Sequence, residues 1–229
     1  MQILLDILVV VAGYVLGSIP FGLVIVKLKT GKDIRTVESG RTGGTNAARA
    51  AGFGAGLLTA ILDILKGAAA VWVAQAVDPD NHVLHVLAPI FAILGHNYSF
   101  FLLERDTNGK LKFRGGAGGA PAIGGAMGLW PPMFPIAFGI GALIWFTIGI
   151  ASLTTMAIGL VVITSFTIRA IYGYQSPIDI SYGVIAELLL IWALRPNIKK
   201  LFAGKERVVS MSLNGWLRAR KEARQGPGK

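Results

Sequence analysis

Apolar residues run through this chain in blocks about as long as a bilayer is thick, separated by short segments that hold most of the charge. A membrane span needs about 20 mostly apolar residues. The pattern predicts seven such spans: 3–26, 54–77, 82–103, 116–130, 132–151, 153–172 and 178–193. The fourth and seventh are short, which points to tilt or partial re-entry. The expected class is an all-α polytopic membrane protein with seven transmembrane helices and two Gly-rich cytoplasmic loops that form the site. Residues 1–196 read as one seven-helix membrane domain and 197–229 as a basic cytoplasmic tail, with no internal repeat. Within the tail, 208–217 reads as an amphipathic stretch on the membrane surface, anchored by Trp216. The last residues, 225–229, read as disordered, and 105–112, with Asn108-Gly109, as a turn or hairpin tip.

Composition narrows the class. Hydrophobic residues make up 53% and charged residues 15%, where soluble domains carry about 25% charged. Mean hydropathy is +0.61. A soluble enzyme is nearly excluded. The absence of Cys excludes disulfides, thiolate metal sites and a Cys nucleophile. The N-terminus lacks a basic region and carries Asp6, so it does not read as a cleavable signal.

The net charge of +10 is informative through its placement. Six of the 22 Lys and Arg follow the first span, four lie between the third and fourth, and ten follow the seventh. The acidic Asp78-Pro-Asp-Asn segment falls on the other side, where only Arg169 lies nearby. The positive-inside rule then sets the N-terminus outside and the C-terminus in the cytoplasm of a cell membrane. Most of these cations serve topology and attraction to anionic lipid rather than nucleic acid.

Two cytoplasmic segments carry candidate chemistry. Glu38-Ser-Gly-Arg-Thr-Gly-Gly-Thr-Asn-Ala-Ala-Arg49 combines three glycines with Ser39, Thr42, Thr45, Asn46 and two arginines, Arg41 and Arg49. Such a loop suits a phosphate or acyl-phosphate oxygen; a flexible linker is the plainer reading. Phe113-Arg-Gly-Gly-Ala-Gly-Gly leads into the fourth span. A Gly-rich turn into a helix start offers free N–H groups at the positive end of the dipole, although the glycines from 119 to 125 read as helix packing.

Asp63 and Lys66, at i and i+3 in the second span, share a helix face and can pair there. They read as a satisfied pair clamping the packing or the floor of the site. His96 and Asn97 sit near the cytoplasmic end of the third span, as a proton carrier, a donor to substrate or buried structure. His82 and His85 lie near the outer face, and the histidine spacing fits no metal site. Glu187 is unpaired in sequence.

In order, the motifs are Gly17-Ser-Ile-Pro-Phe-Gly22, Ser39-Gly-x-x-Gly-x-Thr-Asn46 with Arg49, Asp63-x-x-Lys-Gly67 and Gly95-His-Asn97. They continue with Phe113-x-Gly-Gly-x-Gly118, Asn197-Ile and Gly204-x-Glu206. Together they resemble the bacterial acyl-phosphate:glycerol-3-phosphate acyltransferases, small polytopic enzymes of phospholipid synthesis. The resemblance covers nearly the whole chain to about Arg207. It implies seven helices with an external N-terminus and transfer of a fatty acyl group from acyl phosphate to the 1-hydroxyl of glycerol 3-phosphate, giving lysophosphatidic acid. It implies no cofactor, no metal and no obligate protein partner. Ser39, Arg49 and Asn197 match glycerol-3-phosphate ligands. Thr45, Asn46 and the Gly115–Gly116 amides match the acyl-phosphate pocket. Arg41, Asp63, Lys66, His96 and Asn97 are supporting. No catalytic residue is assigned, because the leaving phosphate can itself accept the hydroxyl proton.

The chain departs from the pattern where the family has Lys (here Ala117) and His (here Leu194), and Arg41 replaces a neutral Asn. Two further readings follow. One is a relative that binds acyl phosphate or phospholipid without turnover or with another acceptor. The other is a transporter, which the missing inverted repeat disfavours. Arg41 either reaches into the site and replaces the charge lost at Ala117, or faces the anionic lipid surface and counts only toward topology.

Overall fold

The computed structural model describes residues 1–105, 108–209 and 212–225. The polypeptide is helical nearly throughout: α1 (Gln2–Ser18), α2 (Phe21–Thr30), α3 (Gly44–Ala51), α4 (Phe53–Val77), α5 (His82–Asn97), α6 (Gly119–Leu129), α7 (Met133–Ile148), α8 (Ala151–Ile171), α9 (Asp179–Phe202) and α10 (Leu213–Gln225). A two-stranded antiparallel hairpin, β1 (Ser99–Arg105) and β2 (Leu111–Arg114), lies between α5 and α6.

Three helical stretches, Gln2–Thr30, Phe53–Val77 and Ala151–Ile171, are long and apolar enough to cross a bilayer, and His82–Asn97 and Met133–Ile148 are shorter apolar helices. Within the first stretch the helix breaks at Ile19-Pro20, where proline cannot donate to the ladder. The third block ends its helix at Asn97 rather than running to 103; Ser99 to Arg105 is strand, pinned by a hydrogen bond from Ser99 Oγ to Ser18 O. The expected hairpin is present, with its tip residues 106–107 outside the described residues. The seventh block continues as helix past Pro196 to Phe202. The tail's helix starts at Leu213, later than expected, and extends to Gln225, so Ser210 and Met211 of the 208–217 stretch and the 226–229 end lie outside the described residues.

Small residues bring the helices together. On α1, Gly13 and Gly17 meet the backbone of Ala88 and Ala92 on α5 so closely that a Cβ at either would collide with a carbonyl. Such small-xxx-small seams let apolar helices pack where no hydrophobic effect drives them. The main core lies between α5, α6, α7, α8 and α9, around Ile93, Ala126, Phe166, Tyr182 and Leu190. Tyr182 donates its hydroxyl to Ala122 O at 2.6 Å and ties α9 to α6. The outer faces expose a belt of apolar side chains, among them Leu4, Leu57, Leu143, Leu160 and Leu188, as lipid-facing surfaces do.

One end of the bundle gathers the acidic α4–α5 turn. Asn81 caps α5 by accepting from Leu84 N and also reaches Asp6 on α1. Arg169 stacks over Trp130, 4.1 Å from the ring centroid, and donates to Gln175 and Tyr174.

Candidate functional site

The site is built at the end of the bundle where the 33–49 segment, the Gly-rich turn into α6 and the end of α9 are joined by hydrogen bonds. Its first wall is the 33–49 segment. Asp33 accepts from Arg35 N at 2.8 Å and starts a 3₁₀ turn, Ile34–Thr36. Only the first half is loop; from Gly44 the chain is helical as α3. Asn46 faces inward, 3% exposed, and its amide donates to Ile34 O, Val37 O and Arg41 O at 2.9–3.2 Å. This side chain folds the loop onto α3. Thr45 and Arg49, one turn apart on the same helix, stand on the exposed face. Arg49 has no hydrogen-bond or ion-pair partner among the described residues. Ser39 is exposed, its hydroxyl accepting from Arg41 N at 3.4 Å.

The second wall is the Gly-rich turn. Thr42 N donates to Gly115 O at 3.3 Å and joins the two segments. Gly116 N donates to His96 O at 2.8 Å, so this amide, one of the two expected to face acyl phosphate, is already engaged. The amides left without an intrahelical acceptor at the start of α6 are those of Gly118, Gly119 and Ala120; sequence reasoning assigned Gly119 to packing. The turn presses on the end of α5: a Cβ at Gly116 would strike the His96 ring, and Gly118, at φ +88°, lies against the Asn97 amide. Gly116→Ala is therefore expected to destabilise the protein by about 1–3 kcal/mol, the range for overpacking, read as thermal unfolding in detergent.

Charges brace the rim. Arg114 Nε donates to Glu104 at 2.6 Å and Arg35 approaches the same carboxylate at 3.6 Å, linking the hairpin to the first wall. The Arg114 guanidinium holds the Glu104 carboxyl below its ordinary range.

Beneath the turn lies a buried cluster. Lys66 Nζ contacts Asp63 Oδ1 at 2.7 Å, His96 Nδ1 at 2.9 Å and Ile19 O at 2.9 Å. An ammonium has three donors and no acceptor, so all three are used. His96 Nδ1 must then accept, which leaves its proton on Nε2, on the side of Gly116. The ion pair forms between Asp63 and Lys66, as their spacing predicts, and His96 joins it to the underside of the turn.

The third wall comes from the far end of the chain. Arg41 Nη2 donates to Ala193 O on α9 at 2.6 Å. Its guanidinium is thus held at the residue next to Leu194. Burial pushes the Arg41 pKa down from its ordinary value, opposed by the nearby Glu206 carboxylate. Asn197 donates to Glu206 Oε1 at 2.8 Å, and Ser152 Oγ reaches the same oxygen at 3.3 Å. Arg207 pairs with Glu38, and Val209 N donates to Gly149 O at 2.7 Å. Residues 205–209 therefore strap the α7–α8 turn and the first wall to α9, which no local pattern announced.

Behind the start of α6 a cavity of about 170 Å³ opens between α4, α6, α8 and α9, with Gly119 and Ala120 at one end and Ile64, Ile158, Val162 and Leu190 among its walls. Among the described residues, no three His, Asp or Glu side chains group so as to hold a metal.

The arrangement sets exposed donors and a fixed cation beside a helix start that opens onto an apolar cavity, which suits an amphiphile with an anionic head. A family model described as glycerol-3-phosphate acyltransferase matches residues 7–204. The glycerol-3-phosphate acyltransferase of Rubrobacter xylanophilus is 36% identical over 204 residues, covering 89% of this chain and 95% of that protein. Glycerol-3-phosphate acyltransferase 3 of Dehalococcoides mccartyi is 37% identical over 215 residues, covering 87% and 94%. The crystal structure of PlsY (YgiH), an integral membrane glycerol 3-phosphate acyltransferase, in its glycerol 3-phosphate form superposes with a TM-score of 0.76 at 30% identity, covering 95% of this chain and 99% of that one. Its lysophosphatidic acid form gives 0.74 at 29% identity, covering 90% and 96%.

Proposed function

The chain belongs to the glycerol-3-phosphate acyltransferase family, and from that premise we propose that it moves a fatty acyl group from acyl phosphate to the 1-hydroxyl of glycerol 3-phosphate, giving lysophosphatidic acid. It is an acyltransferase of phospholipid synthesis and an integral membrane protein. The relatives' names do not favour a purely binding role.

The observation that carries the proposed geometry is the junction at Thr42 and Gly115, which sets the 39–49 segment against the start of α6 and the cavity behind it. The acyl chain enters that cavity from Gly119 and Ala120, and its phosphate lies against Thr45 and the turn from Gly115 to Ala120, with Asn46 holding the loop in shape. Glycerol 3-phosphate takes the outer position, its phosphate held by Arg49, Ser39 and Arg41, with Asn197 oriented by Glu206. Acyl phosphate is a mixed anhydride and is already activated. The hydroxyl oxygen attacks the acyl carbon, the bond from that carbon to the phosphate oxygen breaks, and the departing phosphate takes the hydroxyl proton. The protein's share is to hold two anions side by side and to stabilise the oxyanion.

Seven membrane segments with the N-terminus outside and the C-terminus cytoplasmic complete the reading. The support is that the three basic segments converge on one end of the bundle through Thr42–Gly115, Arg35–Glu104 and Glu38–Arg207, while the acidic turn lies with the N-terminus.

The test is purified protein with palmitoyl phosphate and glycerol 3-phosphate, the product read by mass spectrometry. Lysophosphatidic acid is expected; none from folded protein refutes the proposal. The cavity adds a prediction. Ala186 lines it, and Ala186→Phe displaces about two methylenes of a bound chain, each worth about 0.8 kcal/mol. The mutant should lose roughly tenfold in kcat/KM on palmitoyl phosphate and little on butyryl phosphate. An equal loss on both places the chain elsewhere.

A further inference from the structure

The match to the family ends at residue 204, and α10 lies beyond it. The helix is capped by Ser212, whose Oγ accepts from Gly215 N at 3.0 Å, and whose side chain is fully buried against Gly149. Asn214 Nδ2 donates to Ile148 O at the end of α7. The start of α10 is therefore fixed at the end of the bundle that carries the site. Gly215 faces inward, while Leu213, Trp216 and Leu217 are each about half exposed.

These three side chains do not stand alone. Leu143, Phe146 and Ile148 on α7, the helix against which α10 docks, are also exposed, so the apolar belt of α7 continues onto the first turns of α10. Beyond them the helix turns basic. Its sequence holds four Lys or Arg and one acidic residue, Arg218, Arg220 and Lys221 are exposed, and Arg220 lies over the Trp216 ring at 5.2 Å. An aromatic and two leucines at the edge of a lipid-facing belt, followed by cations, match the acyl boundary and then the phosphate layer of a bilayer. A soluble partner would have no reason to prefer a patch continuous with a lipid-facing belt.

We propose that α10 binds the anionic phospholipid headgroups of the bilayer and, through the 205–209 strap, couples that binding to the order of the acceptor site. The coupling follows from the contacts already described: Val209 to Gly149, Glu206 to Asn197 and Ser152, and Arg207 to Glu38. A helix drawn onto an anionic surface steadies the segment that holds Asn197. A neutral surface leaves it anchored by its apolar residues alone. The coupling, unlike the lipid binding, rests on the acceptor site proposed above.

The experiment uses the full chain in nanodiscs of zwitterionic lipid, with or without a third of phosphatidylglycerol. Trp216 quenching by brominated lipid is taken as the difference between wild type and Trp216→Phe. Stronger quenching by brominated phosphatidylglycerol than by brominated phosphatidylcholine is expected. Each charge removed in Arg218→Gln, Arg220→Gln and Lys221→Gln should lower that preference about fivefold, and the triple variant should abolish it. Equal quenching by both lipids, insensitive to these variants, overturns anionic recognition. Quenching by neither places α10 off the membrane, on a soluble partner. In the same discs the KM for glycerol 3-phosphate should fall severalfold with phosphatidylglycerol in wild type and stay constant in the triple variant. A KM that ignores lipid charge in wild type overturns the coupling. Quenching needs no turnover, so a failed acyl-transfer assay leaves the lipid test intact.

Discussion

Lys66→Met is expected to destabilise the protein by about 3–5 kcal/mol, the range for removing one partner of a buried ion pair. Asp63 is 1% exposed and Lys66 4%. Without the ammonium, the Asp63 carboxylate stays buried with no cation, and Ile19 O and His96 Nδ1 lose the donor they share. The loss spreads because these groups belong to three places in the fold: Lys66 and Asp63 on α4, His96 on α5 and Ile19 at the α1–α2 break. Asp63→Leu combined with Lys66→Met removes both charges and should recover much of the stability, since replacing a whole buried pair by apolar groups is often neutral. The measurement is a double-mutant cycle of unfolding in detergent. Additive energies from the two single changes would mean that the pair does not act as a unit.

Arg41→Ala is expected to lower kcat/KM for glycerol 3-phosphate by about 10- to 100-fold, from the roughly 1.5–3 kcal/mol that a hydrogen bond to a charged group contributes. One N–H of the guanidinium is fixed on Ala193 O. That contact holds the planar fork in place, which leaves its other donors pre-organised for a phosphate. The charge stands next to Leu194, so Leu194→His should restore part of the activity to Arg41→Asn, whereas Ala117→Lys should act independently of Arg41. A silent Arg41→Ala, with unfolding unchanged, would reduce this residue to a surface charge. A loss of stability with kcat/KM intact would reduce it to a clamp on α9.

Both predictions concern residues visible in the sequence, but to different degrees. Asp63 and Lys66 were legible as a pair because both lie on one helix, and i,i+3 spacing alone puts them on one face. Arg41 was legible as a cation in a phosphate-suited loop and as a departure from the family pattern, but not by its contact. Its partner lies 152 positions away, and no local periodicity connects the two. The segment from Glu38 to Arg49 shows the same limit within twelve residues. Its glycines read as a loop, yet Gly44 to Ala51 wind into a helix, and Asn46 on that helix bonds three backbone carbonyls of the loop folded back on it. That choice reverses the role of the residue, turning a motif position expected to face substrate into the support of the loop.

What the sequence determined by itself follows from short-range physics. Runs of apolar residues select a bilayer as solvent, and the placement of Lys and Arg separates two sides. Small residues at four-residue spacing prepare helix seams, and the glycines before α6 mark a turn. The tertiary structure decided which of these pieces meet. It ended the third apolar block in a β-hairpin, engaged Gly116 with His96, set Gly119 and Ala120 at the mouth of the cavity, and brought residues 205–209 back to Gly149, Asn197 and Glu38. Each of these contacts depends on how helices are rotated and shifted against one another. That arrangement is set by packing over the whole bundle, and packing is a property of many residues at once rather than of any stretch of the chain.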